Sequence, residues 1–425
     1  MKDELTNRQK RRRRRIRNQV LAYSILIIVV VLVLIVGYVG GKEAIRYIKN
    51  YNARVNQAIE EAESSVDIDP VVESETVQMQ ENIDSDVGQA EVEENSLDKL
   101  IVSLMNDMTL EEMVAGMFLV SPESITGVGI AVQASDGTKT AIMENPVGGL
   151  IYSTKNFKSE EQFTEMLTNT RSYAKYPIFT AVTVECGSNT TFGMEATPKA
   201  SELTDVDSVW AAYGSIAGKL ASYGVNMNMA PVAEIVSEDG NTSLQGRTFG
   251  SDATVAAPLV STSVVAIQDA EISAVLQKFP GINSDTKSLE ELQNSEFVIY
   301  DMAIQHGVDC IMVTNAKASV LTGDDTPSSL SSVVINDVLR NTLGFQGVVI
   351  TDYLNDSAIT EKYNSAQAAV AAIQAGADLI VEPKNYKEAY EGVLSAIADG
   401  TITEERIRES IYRIYRVKYK HVLDT

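Results

Sequence analysis

Six polar side chains stand just beyond short apolar runs that read as strands, and their types suit nucleophilic and acid–base chemistry. Glu185 follows Ile178-Phe-Thr-Ala-Val182, Glu234 follows Val225-Asn-Met-Asn-Met229, and Lys278 closes the run that begins Ser273-Ala-Val-Leu276. Asn315 follows Asp309-Cys-Ile-Met-Val313, Asp352 ends Gly347-Val-Val-Ile-Thr-Asp352, and Glu382 follows Asp378-Leu-Ile-Val381. Cleavage of a glycosidic bond needs two carboxyl-like groups, one to attack or support the oxocarbenium-like centre and one to deliver a proton. Glu185, Glu234, Asp352 and Glu382 supply such groups in principle. Acids at strand ends also cap the helices that follow them, so each keeps a structural alternative.

Side chains converge in this way only if the strands are parallel and their ends share one face. Eight β-rich runs are present: the six above together with Met117-Phe-Leu-Val120 and Gly149-Leu-Ile-Tyr152. Between them lie segments with helical spacing and length, such as 159–174, 207–223, 331–343 and 365–375. The alternation predicts an α/β chain folded as a (β/α)8 TIM-type barrel, whose chemistry sits at the C-terminal ends of its strands. An open doubly wound sheet is the alternative, but it would want a glycine-rich phosphate turn after an early strand, and none is present. A closing helix from about Glu404 to His421 aligns Ile407, Ile411, Ile414 and Val417 on one stripe.

Many short motifs recur in an order that resembles the N-terminal domain of glycoside hydrolase family 3, most of all its single-domain β-N-acetylhexosaminidases. They include Asn226-Met-Asn-Met-Ala-Pro-Val232, Gly246-Arg-Thr-Phe-Gly250, Lys278-Phe-Pro-Gly281, Leu343-Gly-Phe-Gln-Gly347, Ala375-Gly-Ala-Asp378 and Arg408-Glu-Ser-Ile-Tyr-Arg413. The resemblance spans 97–420. It implies a retaining glycosidase, acting on N-acetylglucosamine-bearing glycan such as a peptidoglycan fragment, with Asp352 as the nucleophile. It also implies Arg247 and Glu185 as substrate contacts.

Several positions depart from the family pattern. The family's Val-Asp-x-Glu-Gly-Gly reads Val182-Thr-Val-Glu-Cys-Gly187 here, so Thr183 replaces a sugar-gripping aspartate. Its Lys-His-Phe-Pro-Gly-His-Gly reads Gln277-Lys-Phe-Pro-Gly-Ile-Asn283, and a histidine after strand six is Asn315. Lys278 and Asn315 thus stand where substrate contacts belong and are assigned that role. The loop that carries the family's acid/base histidine corresponds to 284–296, which holds none. Asp285 is the assigned stand-in acid, with Glu185 and Glu234 as alternatives. A positioned acid contributes about 10²–10⁴-fold, so impaired catalysis is the expected consequence. A non-catalytic barrel that binds glycan or an envelope partner is the alternative.

The first 96 residues carry a different message. Residues 1–19 hold nine Lys/Arg against two acids, and residues 20–39 are uncharged and apolar. Twenty residues at 1.5 Å each span a hydrocarbon core of about 30 Å. No Ala-x-Ala-like cleavage site follows at Tyr38-Val-Gly-Gly-Lys42. The expectation is a basic cytoplasmic tail over 1–19, a transmembrane signal anchor over 20–40 and an acidic extracellular linker over 41–96. The domain of residues 97–425 would then lie outside the cell. From Val55 to Asp98 there are fourteen acids, no Lys or Arg and no aromatic residue, a composition that predicts a disordered stalk. The chain carries a net charge of −23, and beyond the basic tail it is more acidic still, which excludes nucleic acid as a partner. Protein partners are not legible. Two cysteines and two histidines, widely scattered, make no metal cluster, and neither a metal nor a cofactor is expected. Cys186 and Cys310 fall at strands that are not neighbours, so both are expected as buried free thiols.

Overall fold

Short runs of Val, Ile, Leu and Phe, buried on both faces, pair side by side in the parallel arrangement that such runs require. In the computed structural model, which describes residues 97–187, 191–236 and 242–420, the strands are β1 (Phe118–Val120), β2 (Gly149–Ile151), β3 (Phe179–Val182) and β4 (Met227–Asn228). They continue as β5 (Ser273–Phe279), β6 (Cys310–Val313), β7 (Val348–Thr351) and β8 (Ile380–Val381). All neighbours are parallel, in the order β7-β6-β5-β4-β3-β2-β1-β8. The two ends of that order meet: Thr351 N–H donates to Leu379 O at 3.0 Å and Leu379 N–H to Val349 O at 3.1 Å. The sheet is therefore a closed barrel.

A helix follows each strand. They are α2 (Asp136–Glu144), α3 (Glu160–Tyr173), α4 (Val206–Tyr223), α5 (Ala253–Gln268), α6 (Glu296–Gln305), α7 (Val333–Thr342), α8 (Ser365–Ala375) and α9 (Tyr386–Ala398). A helix α1 (Leu110–Gly116) precedes β1, and α10 (Glu404–Tyr419) closes the chain. Their starts are written locally. Thr109 and Glu112 form a capping box at α1, and Asn364 and Gln367 form another at α8, satisfying N–H groups that the helix leaves unpaired. The segment expected as an α-helix over 331–343 is wound as a π-helix in α7.

Two features hold the barrel in register away from its mouth. Asp378, fully buried before β8, accepts from Arg340 Nη2 at 2.5 Å, Ser410 Oγ at 2.7 Å, Val349 N–H at 3.0 Å and Arg413 Nη1 at 3.2 Å. One carboxylate thereby ties α7, β7 and α10 together. At the entry to β2, a Cβ on Gly148 would lie 2.1 Å from the carbonyl oxygen of Gly116, so only glycine lets β2 pass the end of α1.

The basic tail, the anchor over 20–40 and the acidic linker up to 96 lie outside the described residues. Among the described residues no helix is long and apolar enough to cross a membrane. Cys186 and Cys310 are both free and buried, as expected.

Candidate active site

The six strand-end residues sit at the C-terminal mouth of the barrel, but they are not equivalent. Asp352 leaves β7 half-buried. Its Oδ2 lies 3.1 Å from Lys278 Nζ, and its Oδ1 accepts the Tyr353 N–H at 2.9 Å. Among the described residues no second carboxyl is hydrogen-bonded to it.

Lys278 reaches Asp352 for a backbone reason. Successive side chains along a strand face opposite ways. Gln277, one residue earlier, already points inward, with Nε2 3.2 Å from Glu185 Oε1 and also bonded to Met229 O. Lys278 would then face the helices. Instead it adopts φ of 83°, and the β5–β6 register shifts between Leu276 and Phe279. The turn swings its side chain back over the mouth. A non-glycine residue in that region costs about 1–3 kcal/mol, and such residues cluster at functional sites. Glu382, at the end of β8, shows the same feature with φ of 41°.

The remaining carboxyls are each occupied elsewhere. Glu185 is buried and takes a two-pronged grip from Arg247, with Nε to Oε2 and Nη2 to Oε1 both 2.7 Å. That grip and Gln277 use both of its oxygens, and it holds the Arg247 guanidinium more firmly protonated than usual. Glu382 accepts the Ser121 N–H and stands 3.4 Å from Ser124 Oγ, so it caps the short helix after β1; burial raises its pKa against the pull of that bond. Glu234 is fully buried beneath the loop after β5. One oxygen accepts the Ile282 N–H, the other has no partner, and burial pushes its pKa up to about 7.

Asp285, the stand-in acid that the sequence suggested, lies in a short turn after β5. Its carboxylate is exposed and accepts the Ser319 N–H at 2.9 Å. Hydrogen bonding to Ser319 lowers its pKa, and a carboxyl that releases its proton so readily is a poor general acid. Asn315 is buried and also committed. Its Nδ2 donates to Tyr353 O at 2.8 Å and its Oδ1 accepts from Ser329 Oγ at 2.6 Å, so it ties the loops after β6 and β7 together.

Tyr353 was not singled out in the sequence. From the end of β7 its side chain crosses to the opposite rim, where the hydroxyl stands 3.8 Å from Met229 Sδ and meets the Thr183 side chain. Burial raises its pKa to about 12. Its position directly after Asp352 is the one local signal that could have flagged it. A cleft of about 640 Å³ opens beside the mouth, lined by Leu354, Tyr363, Asn364, Lys384 and Asn385, and Asp352 does not line it. No group of described residues could hold a metal ion.

Residues 109–417 match the Glycosyl hydrolase family 3 N terminal domain. The chain belongs to glycosyl hydrolase family 3. Among curated family relatives, a β-N-acetylglucosaminidase/β-glucosidase of Cellulomonas fimi is 30% identical over 277 residues, which is 59% of this chain. The chain spans about half, 49%, of that relative's length. A β-hexosaminidase of Hydrogenovibrio crunogenus is 25% identical over 265 residues, covering 57% of this chain and 73% of its own. Among solved family 3 structures, a β-N-acetylglucosaminidase of Paenibacillus sp. FPU-7 superposes with a TM-score of 0.69 at 29% identity. That match covers 75% of this chain and 64% of the other. The family that the ordered motifs resembled is thus the family shown, and the barrel expected from the alternation of strands and helices is the fold observed.

Proposed function

We propose that this family 3 barrel is of the β-N-acetylhexosaminidase type, directed at cell-wall glycan, and that its turnover is impaired. The anchor over residues 20–40 would leave the N-terminus cytoplasmic and hold the barrel outside the membrane. The sugar class is suggested by the names of the relatives, and the location by the basic tail before an apolar segment.

One observation carries the reading. Asp352 keeps the nucleophile's place at the end of β7, while Glu185, Glu234, Glu382 and Asp285 are each bound to Arg247, Ile282, Ser121 and Ser319. An attacking carboxylate is present, and among the described residues its charged neighbour is Lys278, with no second carboxyl hydrogen-bonded to it. A retaining mechanism needs the two carboxyls about 5–5.5 Å apart, so that the leaving oxygen is protonated as the first attacks. Losing that donor alone costs about 10²–10⁴-fold. A second reading, glycan binding with no turnover at all, is favoured by a lysine, rather than a second carboxyl, standing 3.1 Å from Asp352.

The test is hydrolysis of a chromogenic β-N-acetylglucosaminide by the full chain beside its Asp352→Asn variant. A slow rate that disappears in the variant supports impaired catalysis through Asp352. Equal rates in both remove the enzymatic reading and leave the binding one, to be measured with glycan oligomers.

A further inference from the structure

Tyr353 stands where a substrate would have to be. A sugar attacked by Asp352 must bring its anomeric carbon within about 3–3.5 Å of the carboxylate, which seats the ring over the barrel axis. In the circular strand order, β3 is four steps from β7 and therefore opposite it. The Tyr353 side chain leaves β7 and ends beside Thr183, just past β3, and Met229, just past β4. Its phenol therefore lies over the same axis, next to the same carboxylate.

The backbone of Tyr353 is held independently of its ring. Its N–H donates to Asp352 Oδ1 and its carbonyl accepts from Asn315 Nδ2. Nothing in those contacts requires an aromatic side chain. At the far end the hydroxyl meets a threonine that is itself exposed and a thioether sulfur, a weak acceptor. The ring is thus packed in place but weakly fastened at its tip.

We propose that Tyr353 is the specificity-determining residue of this mouth: a glycan ring enters beside Asp352 only when the Tyr353 ring is displaced. The inference rests on the glycan reading above and adds which residue limits entry. Because a ligand that binds a minor open state has its affinity reduced by that state's population, an open fraction of about 0.1–10% would weaken binding about 10- to 1,000-fold. Removing the ring removes that factor.

The experiment is calorimetric titration of the full chain with a β-1,4-linked N-acetylglucosamine trisaccharide, comparing wild type, Tyr353→Ala and Tyr353→Phe. The alanine variant is expected to bind at least about tenfold more tightly than wild type, and the phenylalanine variant, which keeps the ring, to stay within a few-fold of it. Equal binding by wild type and the alanine variant overturns the inference and leaves the glycan reading intact. Binding by neither overturns both. If the alanine variant fails to fold, Tyr353→Leu, which keeps an apolar base but is too short to reach Met229 and Thr183, takes its place. A rise in affinity then supports the inference, and an unchanged affinity overturns it.

Discussion

Glu234 gives this barrel a pH dependence that can be worked through from its surroundings. Its side chain is fully buried, Oε1 takes the Ile282 N–H, and Oε2 has no partner. Burial is the largest influence and raises the pKa from 4.5 to about 7. The Ile282 bond opposes it, Glu296 adds to it, and Lys287 and Lys278 oppose it. At about 1.4 kcal/mol for each tenfold change in proton affinity, ionising this group in the folded state costs about 3 kcal/mol. A carboxyl whose folded pKa lies above its unfolded one binds more protons when folded. Its contribution to stability is therefore intact below pH 4.5, falls as the pH rises from 4.5 to about 7, and is lost above that.

Glu234→Gln removes the titration. The amide oxygen can still accept the Ile282 N–H, and the new NH2 group brings a fixed offset that does not change with pH. The informative quantity is therefore the slope. Between pH 5 and pH 8 the variant should gain about 2–3 kcal/mol relative to wild type, read from urea unfolding midpoints at each pH with a common denaturant slope. Stability curves that run parallel within about 0.5 kcal/mol over that range would refute the assignment of a raised pKa to Glu234.

Other outcomes follow from the same physical reasoning. Asp378→Ala leaves Arg340, Arg406 and Arg413 facing one another without their anion and should lower stability by about 3–5 kcal/mol, seen as a fall in urea midpoint. Gly148→Ala drives a methyl into the Gly116 carbonyl and should cost about 1–3 kcal/mol or prevent folding, checked by thermal unfolding and soluble yield. Arg247→Met strands the buried Glu185 carboxylate and should destabilise by about 3 kcal/mol. The double variant Arg247→Met/Glu185→Leu should recover part of that loss in thermal melts.

The positions of the strands were readable because their burial is local: runs of four or five apolar residues, bounded by turns, can only be core strands in a chain that alternates with helices. Seven of the eight expected runs contain the observed strand, and the start of α8 at Ser365 was legible for a similar reason, since Asn364 and Gln367 cap it within three residues. β5 is longer than expected because Gln277, Lys278 and Phe279 continue it, although two of them are polar. Polarity argued against a strand there. Pairing with Val232 and β6 decided for one.

At the site the division is sharper. Asp352 at a strand end was legible from the six residues around it. The partners of the mouth residues were not, because they come from far along the chain: Lys278 and Asp352 are 74 residues apart, and Glu185 and Arg247 are 62 apart. No spacing rule reaches that distance. The partners of Asp285 and Asn315, which are Ser319 for the first and Ser329 and Tyr353 for the second, were illegible for the same reason. By itself the sequence determined a parallel barrel with a carboxylate at the end of its seventh strand, because hydrophobic period and strand length are written residue by residue. Only closure of the barrel decided that Lys278 would face that carboxylate, that Glu185, Glu234 and Glu382 would each bond elsewhere, and that Tyr353 would reach the opposite rim. Those facts depend on which strand ends are brought face to face, and no single strand carries that information.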